Sequence, residues 1–187
     1  MYAPGVNRAR FLLAFALAVT VFVAAHFLDF KGSVPNFQRI TGGAVLLDMT
    51  PSFSEDAIYD RLGAYGALGR ENYAFRNITV DVLLPLGLLP FLVMFMNRAL
   101  SRIGTGRVLR VVLLSMPFAY VLLDLAENGS VLALLARFPE RLHGIAAVLP
   151  YLTVTKRVAS MIALFGPLLI LGFVMVRSRF HQVAVAK

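Results

Sequence analysis

No cysteine and no tryptophan occur among the 187 residues, and only 15% of them are charged. Without cysteine there is no disulfide, no thiolate nucleophile and no cysteine-held zinc or iron–sulfur cluster. Without tryptophan, phenylalanine and tyrosine must supply the aromatic side chains of a membrane interface. The shortage of charge excludes most. A soluble domain is about one-quarter charged and about 45–50% apolar, whereas this chain is 59% apolar with a mean hydropathy of +0.77. It reads as an integral membrane protein, with no separate soluble domain.

A helix needs about 20 mostly apolar residues to cross about 30 Å of hydrocarbon. Four stretches qualify: residues 11–28, 78–96, 111–126 and 158–176, the third extending towards 137. The outer two carry no charge; Asp81 and Asp124 are the single charges of the inner two. The first stretch exceeds the roughly 7–15-residue core of a secretory signal and no small-x-small cleavage site follows it, so it reads as a retained helix. The expected fold class is therefore all-α, a four-transmembrane-helix bundle making one membrane domain over residues 1–187. Ala14 and Ala18 form a small-xxx-small pair for helix packing. Pro85, Pro90, Pro117 and Pro167 kink helices in ways that bundle neighbours tolerate.

The charges then orient the bundle. Arg8, Arg10, Arg98, Arg102, Arg107, Arg110, Arg177, Arg179 and Lys187 flank one end of the spans, where no acidic residue occurs. The other nine basic and all ten acidic residues belong to the opposite loops or the helix ends beside them. The positive-inside rule puts both termini and the short loop between the second and third spans in the cytoplasm. The net charge of +8 and pI near 10.4 thus reflect topology rather than nucleic-acid binding. The cytoplasmic arginines also suit anionic lipid headgroups. The expected location is a bacterial inner membrane.

Two outer loops remain, over about 29–77 and 129–155. The first is long and expected to be ordered over the outer mouth of the bundle. It begins with a turn-like Lys31–Pro35 passage and Thr41-Gly-Gly; Ser52-Phe-Ser-Glu55 then fits a helix capping box. Ile58, Leu62 and Tyr65 make an apolar stripe at helical spacing, interrupted by Gly66 and Gly69. From Arg70 the pattern runs as one helix into the second span. In the second loop Pro139 suits the first turn of a short helix, and Pro150 breaks the approach to the fourth span.

Charges inside a membrane helix cost about 2.5–3.5 kcal/mol each on insertion scales, so they need partners or a purpose. At about 1.5 Å rise per residue, Asp81 lies about 22 Å and Asp124 about 20 Å from the inner boundary. Both therefore sit in the outer third. Tyr73, Asn77 and Asp81 share one helix face, as do Tyr120, Asp124 and Asn128, with Glu127 three residues beyond Asp124. Lys156 and Arg157 open the fourth span; Arg70 and Arg76 sit above the second. Bundling would gather Arg70, Tyr73, Asn77, Asp81, Tyr120, Asp124, Glu127, Asn128 and Lys156 into one outward-facing polar cluster. Such a cluster serves either as a pocket for a small polar head or as a buried network fixing helix packing.

Other chemistry finds little support. His26, His143 and His181 form no Glu-x-x-His or His-x-x-x-His pair, so no metal site is expected, nor any cofactor. His26 could face the cluster. Gly104-Thr-Gly106 lacks the phosphate-loop spacing. Ser115 and Ser160 have no histidine near in sequence.

Gly69-Arg70-Glu71-Asn72-Tyr73, Asp81, Asp124-Leu-Ala-Glu127-Asn128 and Lys156 together resemble a pattern in small, uncharacterised bacterial four-helix membrane proteins. The resemblance covers about residues 56–160 on some eight positions. It implies the four-helix membrane fold and no particular activity. Two functions are compatible with the sequence. One is binding, or acting on, a lipid-like or amphiphilic molecule in the outer-leaflet pocket, with Asp81, Asp124 or Glu127 and Lys156 as the available acid–base groups. The other is a non-catalytic accessory subunit or assembly factor, partnered by another membrane protein or a second copy of the chain. Membrane lipids are partners in either case; nucleic acid is not.

Overall fold

The computed structural model describes residues 8–185, with side chains through residue 178. Lys187 and the side chains of Arg179 and His181, which entered the charge and histidine arguments, fall outside the described residues. Among the described residues there are seven helices: α1 (Arg8–Phe27), α2 (Val34–Thr41), α3 (Glu55–Ala64), α4 (Gly66–Ile78), α5 (Val80–Leu100), α6 (Arg107–Arg137) and α7 (His143–Val185). A single 3₁₀ turn, Leu47–Met49, links α2 to α3, and no strand occurs among the described residues. Four segments are long and apolar enough to cross a membrane: Arg8–Phe27, Gly66–Leu100, Arg107–Arg137 and His143–Ser178.

The spans outrun the expected boundaries. At 1.5 Å per residue α6 is about 46 Å long, well beyond the hydrocarbon thickness. Its last turns, with the first turns of α7, carry a cap made from α2, α3 and α4. Phe37, Leu46, Leu47, Ile58, Leu62, Tyr65 and Tyr73 pack there against Val131 and Leu134 of α6 and Ala146 and Leu149 of α7. The stripe Ile58, Leu62, Tyr65 is fully inside this core. Burial pushes the Tyr65 phenol up to about 12, and its hydroxyl donates to the Val45 carbonyl at 2.7 Å.

Several local expectations are corrected. The Lys31–Pro35 passage starts a helix: Ser33 caps α2 by accepting from Asn36 N, Pro35 sits in its first turn, and Gly42 closes it in a left-handed conformation (φ 67°). Those are ordinary helix start and stop signals. The cap of α3 is Ser54, which accepts from Ala57 N, rather than Ser52; Ser52 instead donates to the Ser54 carbonyl. Gly66 does separate α3 from α4, with φ 64°. Gly69 interrupts nothing and lets Thr41 approach α4 closely. Pro139 follows α6 in the turn and starts no helix, and Pro150 lies buried inside an unbroken α7. The expected second loop, over about 129–155, thus shrinks to residues 138–142. Packing of Ala146, Leu149 and Thr153 holds α7 helical across the proline.

Between α4 and α5 the helix breaks at Thr79 (φ −122°, ψ −81°). Just beyond, Pro85 has no N–H to give the Asp81 carbonyl. Asn128 of α6 supplies the missing donor, its Nδ2 lying 3.0 Å from the Asp81 carbonyl oxygen. In the membrane-embedded half, Ala14 and Ala18 of α1 pack with Phe91, Leu92 and Ala163, the close approach that small residues allow.

Candidate polar cleft

Just below the cap, a cleft of about 320 Å³ lies among α1, α5, α6 and α7. α5 contributes Asp81, Leu84, Pro85 and Leu88, α6 contributes Tyr120 and Asp124, and α7 contributes Lys156, Arg157 and Ser160. Phe22 and His26 of α1 line the lateral wall, with Asp48, Met49 and Arg76 above.

Lys156 is the centre of the charge arrangement. Its ammonium lies 3.0 Å from Asp124 Oδ1 and also pairs with Glu127. Glu127 is fully buried and accepts from the Thr153 hydroxyl, whose oxygen also lies 3.1 Å from the Leu149 carbonyl oxygen. Asn128 Nδ2 donates to Asp124 Oδ2 at 3.1 Å. Across the cleft, Arg76 spans the helix break: its Nη2 is 2.7 Å from Asp81 Oδ1 and its Nη1 donates to the Gly32 carbonyl at 2.9 Å. Arg76 Nε is buried with no hydrogen-bond partner.

Arg157 acts on the cap. It donates to the Asp48 and Met49 carbonyls at 2.9 and 2.5 Å, fastening the 3₁₀ turn onto α7. Tyr73 donates to Asp48 Oδ1 at 2.9 Å, and Asn77 donates to the Tyr73 carbonyl at 2.8 Å. His26 Nδ1 is 2.9 Å from the Phe22 carbonyl. A carbonyl only accepts, so Nδ1 carries the proton and a neutral His26 keeps Nε2 as a free acceptor.

The expected cluster therefore divides. Asp81, Tyr120, Asp124 and Lys156 line the cleft, as does His26. Tyr73, Asn77, Glu127 and Asn128 stand behind it as buried partners. Arg70 is not part of it. Its guanidinium donates to the Leu62 carbonyl and lies 4.3 Å over the Phe138 ring, within the cap. Asp48, Met49, Phe22 and Thr153 have roles that sequence periodicity did not reveal. Asp48 sits in a short turn with no periodicity to place it. Arg76 and Arg157 were legible as charges beside the spans, but their inward direction was not.

A second, apolar cleft of about 500 Å³ adjoins the first, walled by Phe15, Ala18, Leu92, Met161, Leu164 and Phe165 among others. Phe22, Leu88, Tyr120 and Ser160 line both. The two together form a polar chamber opening into an apolar groove between α1, α5 and α7. The Tyr120 hydroxyl, at the junction, has no hydrogen-bond partner among the described residues. Acid and base groups abound, yet the carboxylates are engaged by Lys156 and Arg76, and no metal-holding group of three His, Asp or Glu occurs among the described residues. Against family models, curated proteins and solved structures, the chain matches none.

Proposed function

We propose that this is a multi-pass inner-membrane protein that binds, or acts on, a lipid-like or amphiphilic small molecule, with the basic end cytoplasmic and the cap outside. The observation that carries this reading is the continuity of the polar cleft with the apolar groove through Phe22, Leu88, Tyr120 and Ser160. A purely structural ion-pair network needs no adjoining apolar channel. An amphiphile uses both: its head meets Asp81, Asp124, Tyr120 and His26, while its tail lies along Phe15, Leu92 and Phe165. Apolar walls with a few convergent polar groups are the general character of small-molecule sites. The head's depth matches the outer leaflet, and α1 packs chiefly on α5, so entry is lateral, past α1.

The test is lipid retention. Purified in mild detergent, the wild-type chain should carry a stoichiometric extractable amphiphile, read by mass spectrometry. Ser160→Phe fills the junction and should abolish retention while the helices remain folded by circular dichroism. If wild type carries no amphiphile, or Ser160→Phe retains it, the reading fails. Co-purification of a stoichiometric protein partner with no amphiphile would favour the accessory-subunit reading instead.

A further inference from the structure

At the end of the bundle away from the cap, a third cleft of about 770 Å³ opens between the α5–α6 turn and the last turns of the fourth span. Arg102 and Ile103 form one wall; Leu169, Phe173, Arg177 and Ser178 form the other. Neither guanidinium has an ion-pair or hydrogen-bond partner among the described residues. Two other arginines at this end are occupied: Arg98 lies 5.5 Å from the centre of the Phe11 ring and Arg110 donates to Asn97 Oδ1 at 2.9 Å.

No carboxylate relieves the pair. The ten acidic residues run from Asp29 to Asp81 and from Asp124 to Glu140, so none lies on the α5–α6 turn or on α7. Two guanidinium groups facing one cleft without a counter-charge repel each other, and their planar donor forks match phosphate oxygens in a bidentate manner. The floor between them is apolar and open: Leu169 is 74% exposed and Phe173 61%. Free phosphate has no use for that floor. A phospholipid does, because the segment through Ser178 is apolar enough to lie in the membrane and headgroups occupy the level of its end.

We propose that this cleft binds an anionic phospholipid, with Arg102 and Arg177 gripping the headgroup phosphate and the Leu169–Phe173 face receiving the proximal acyl chain. The site is separate from the polar cleft and does not depend on its function.

Native mass spectrometry of the full chain, offered equal amounts of dioleoyl phosphatidylglycerol and dioleoyl phosphatidylcholine, reads the preference directly. The wild-type adduct ratio should favour phosphatidylglycerol about thirtyfold, the scale set by two arginines at about one kcal/mol each near an anionic surface. R102Q and R177Q should each lower the ratio, and together bring it to parity. Both residues are exposed, so these changes leave packing intact. R8Q/R10Q removes the same charge from the same end but outside the cleft, and should leave the ratio unchanged. Millimolar inorganic phosphate should not displace the lipid. Parity in wild type, equal loss in R8Q/R10Q, or displacement by inorganic phosphate alone would each overturn the proposal.

Discussion

Lys156→Met isolates the energetics of the polar cleft. In the native chain one ammonium is shared by two carboxylates, and the side chains of Lys156, Asp124 and Glu127 are 12%, 9% and 0% exposed. Removing the ammonium leaves two buried, mutually repelling acids. Breaking a buried pair in this way costs about 3–5 kcal/mol. A chain of this size loses about 2–4 °C of Tm per kcal/mol, so Lys156→Met should melt about 6–20 °C below wild type. Asp124→Asn should behave quite differently. Lys156 then keeps Glu127 as a single counter-charge, and the amide can still meet Asn128, so the cost is that of one hydrogen bond, about 1 kcal/mol. Adding Asp124→Asn and Glu127→Gln to Lys156→Met removes all the charges together and should recover most of the loss. The assay is thermal unfolding in detergent followed by far-UV circular dichroism, since the chain has no tryptophan. A Lys156→Met protein that melts within about 3 °C of wild type refutes the buried-triad account. An Asp124→Asn loss as large as that of Lys156→Met refutes it too.

Two further predictions concern topology and packing. Gln38→Cys on the cap should react with an impermeant thiol reagent in intact cells, and Ser101→Cys at the basic end only after permeabilisation; the reverse pattern would invert the proposed orientation. At Gly69 an added Cβ would stand 2.5 Å from Thr41 Cγ2 and 3.1 Å from Tyr65 Cβ. Gly69→Ala should therefore destabilise the cap by about 1–3 kcal/mol, and Thr41→Ser, which removes the clashing methyl, should restore much of it; an unchanged melting temperature, or no rescue, would contradict the close α2–α4 contact.

Periodicity and composition were enough for what one helix decides alone. Long uncharged runs of this length read as helices in hydrocarbon because only a helix satisfies all its backbone hydrogen bonds within one segment. The Ile58, Leu62, Tyr65 stripe and the Ala14–Ala18 pair likewise declared their buried faces through local spacing. The grouping of Asp81, Tyr120, Asp124 and Lys156 was legible because intramembrane charge is too costly to scatter. Pro150 reads locally as a stop, and tertiary packing overrides that signal within α7.

What only the folded chain decided is direction and partnership across elements. Asp48 and Arg157 lie 109 positions apart, and no local pattern links a turn carbonyl to a guanidinium on another helix. Arg70 and Arg76 look equivalent in sequence. Six positions is about 600° of helix rotation, or 240° beyond a full turn, so Arg76 meets Asp81 across the Thr79 break while Arg70 turns to Phe138 in the cap. Asn128 completes the hydrogen bond that Pro85 leaves open, a vacancy visible in sequence but fillable only by a neighbouring helix. Sequence thus determined which residues had to leave lipid, because transfer cost is a property of each side chain. Their division into cleft wall, buried support and cap was set by how the helices pack, because that depends on rotation and register between separate segments.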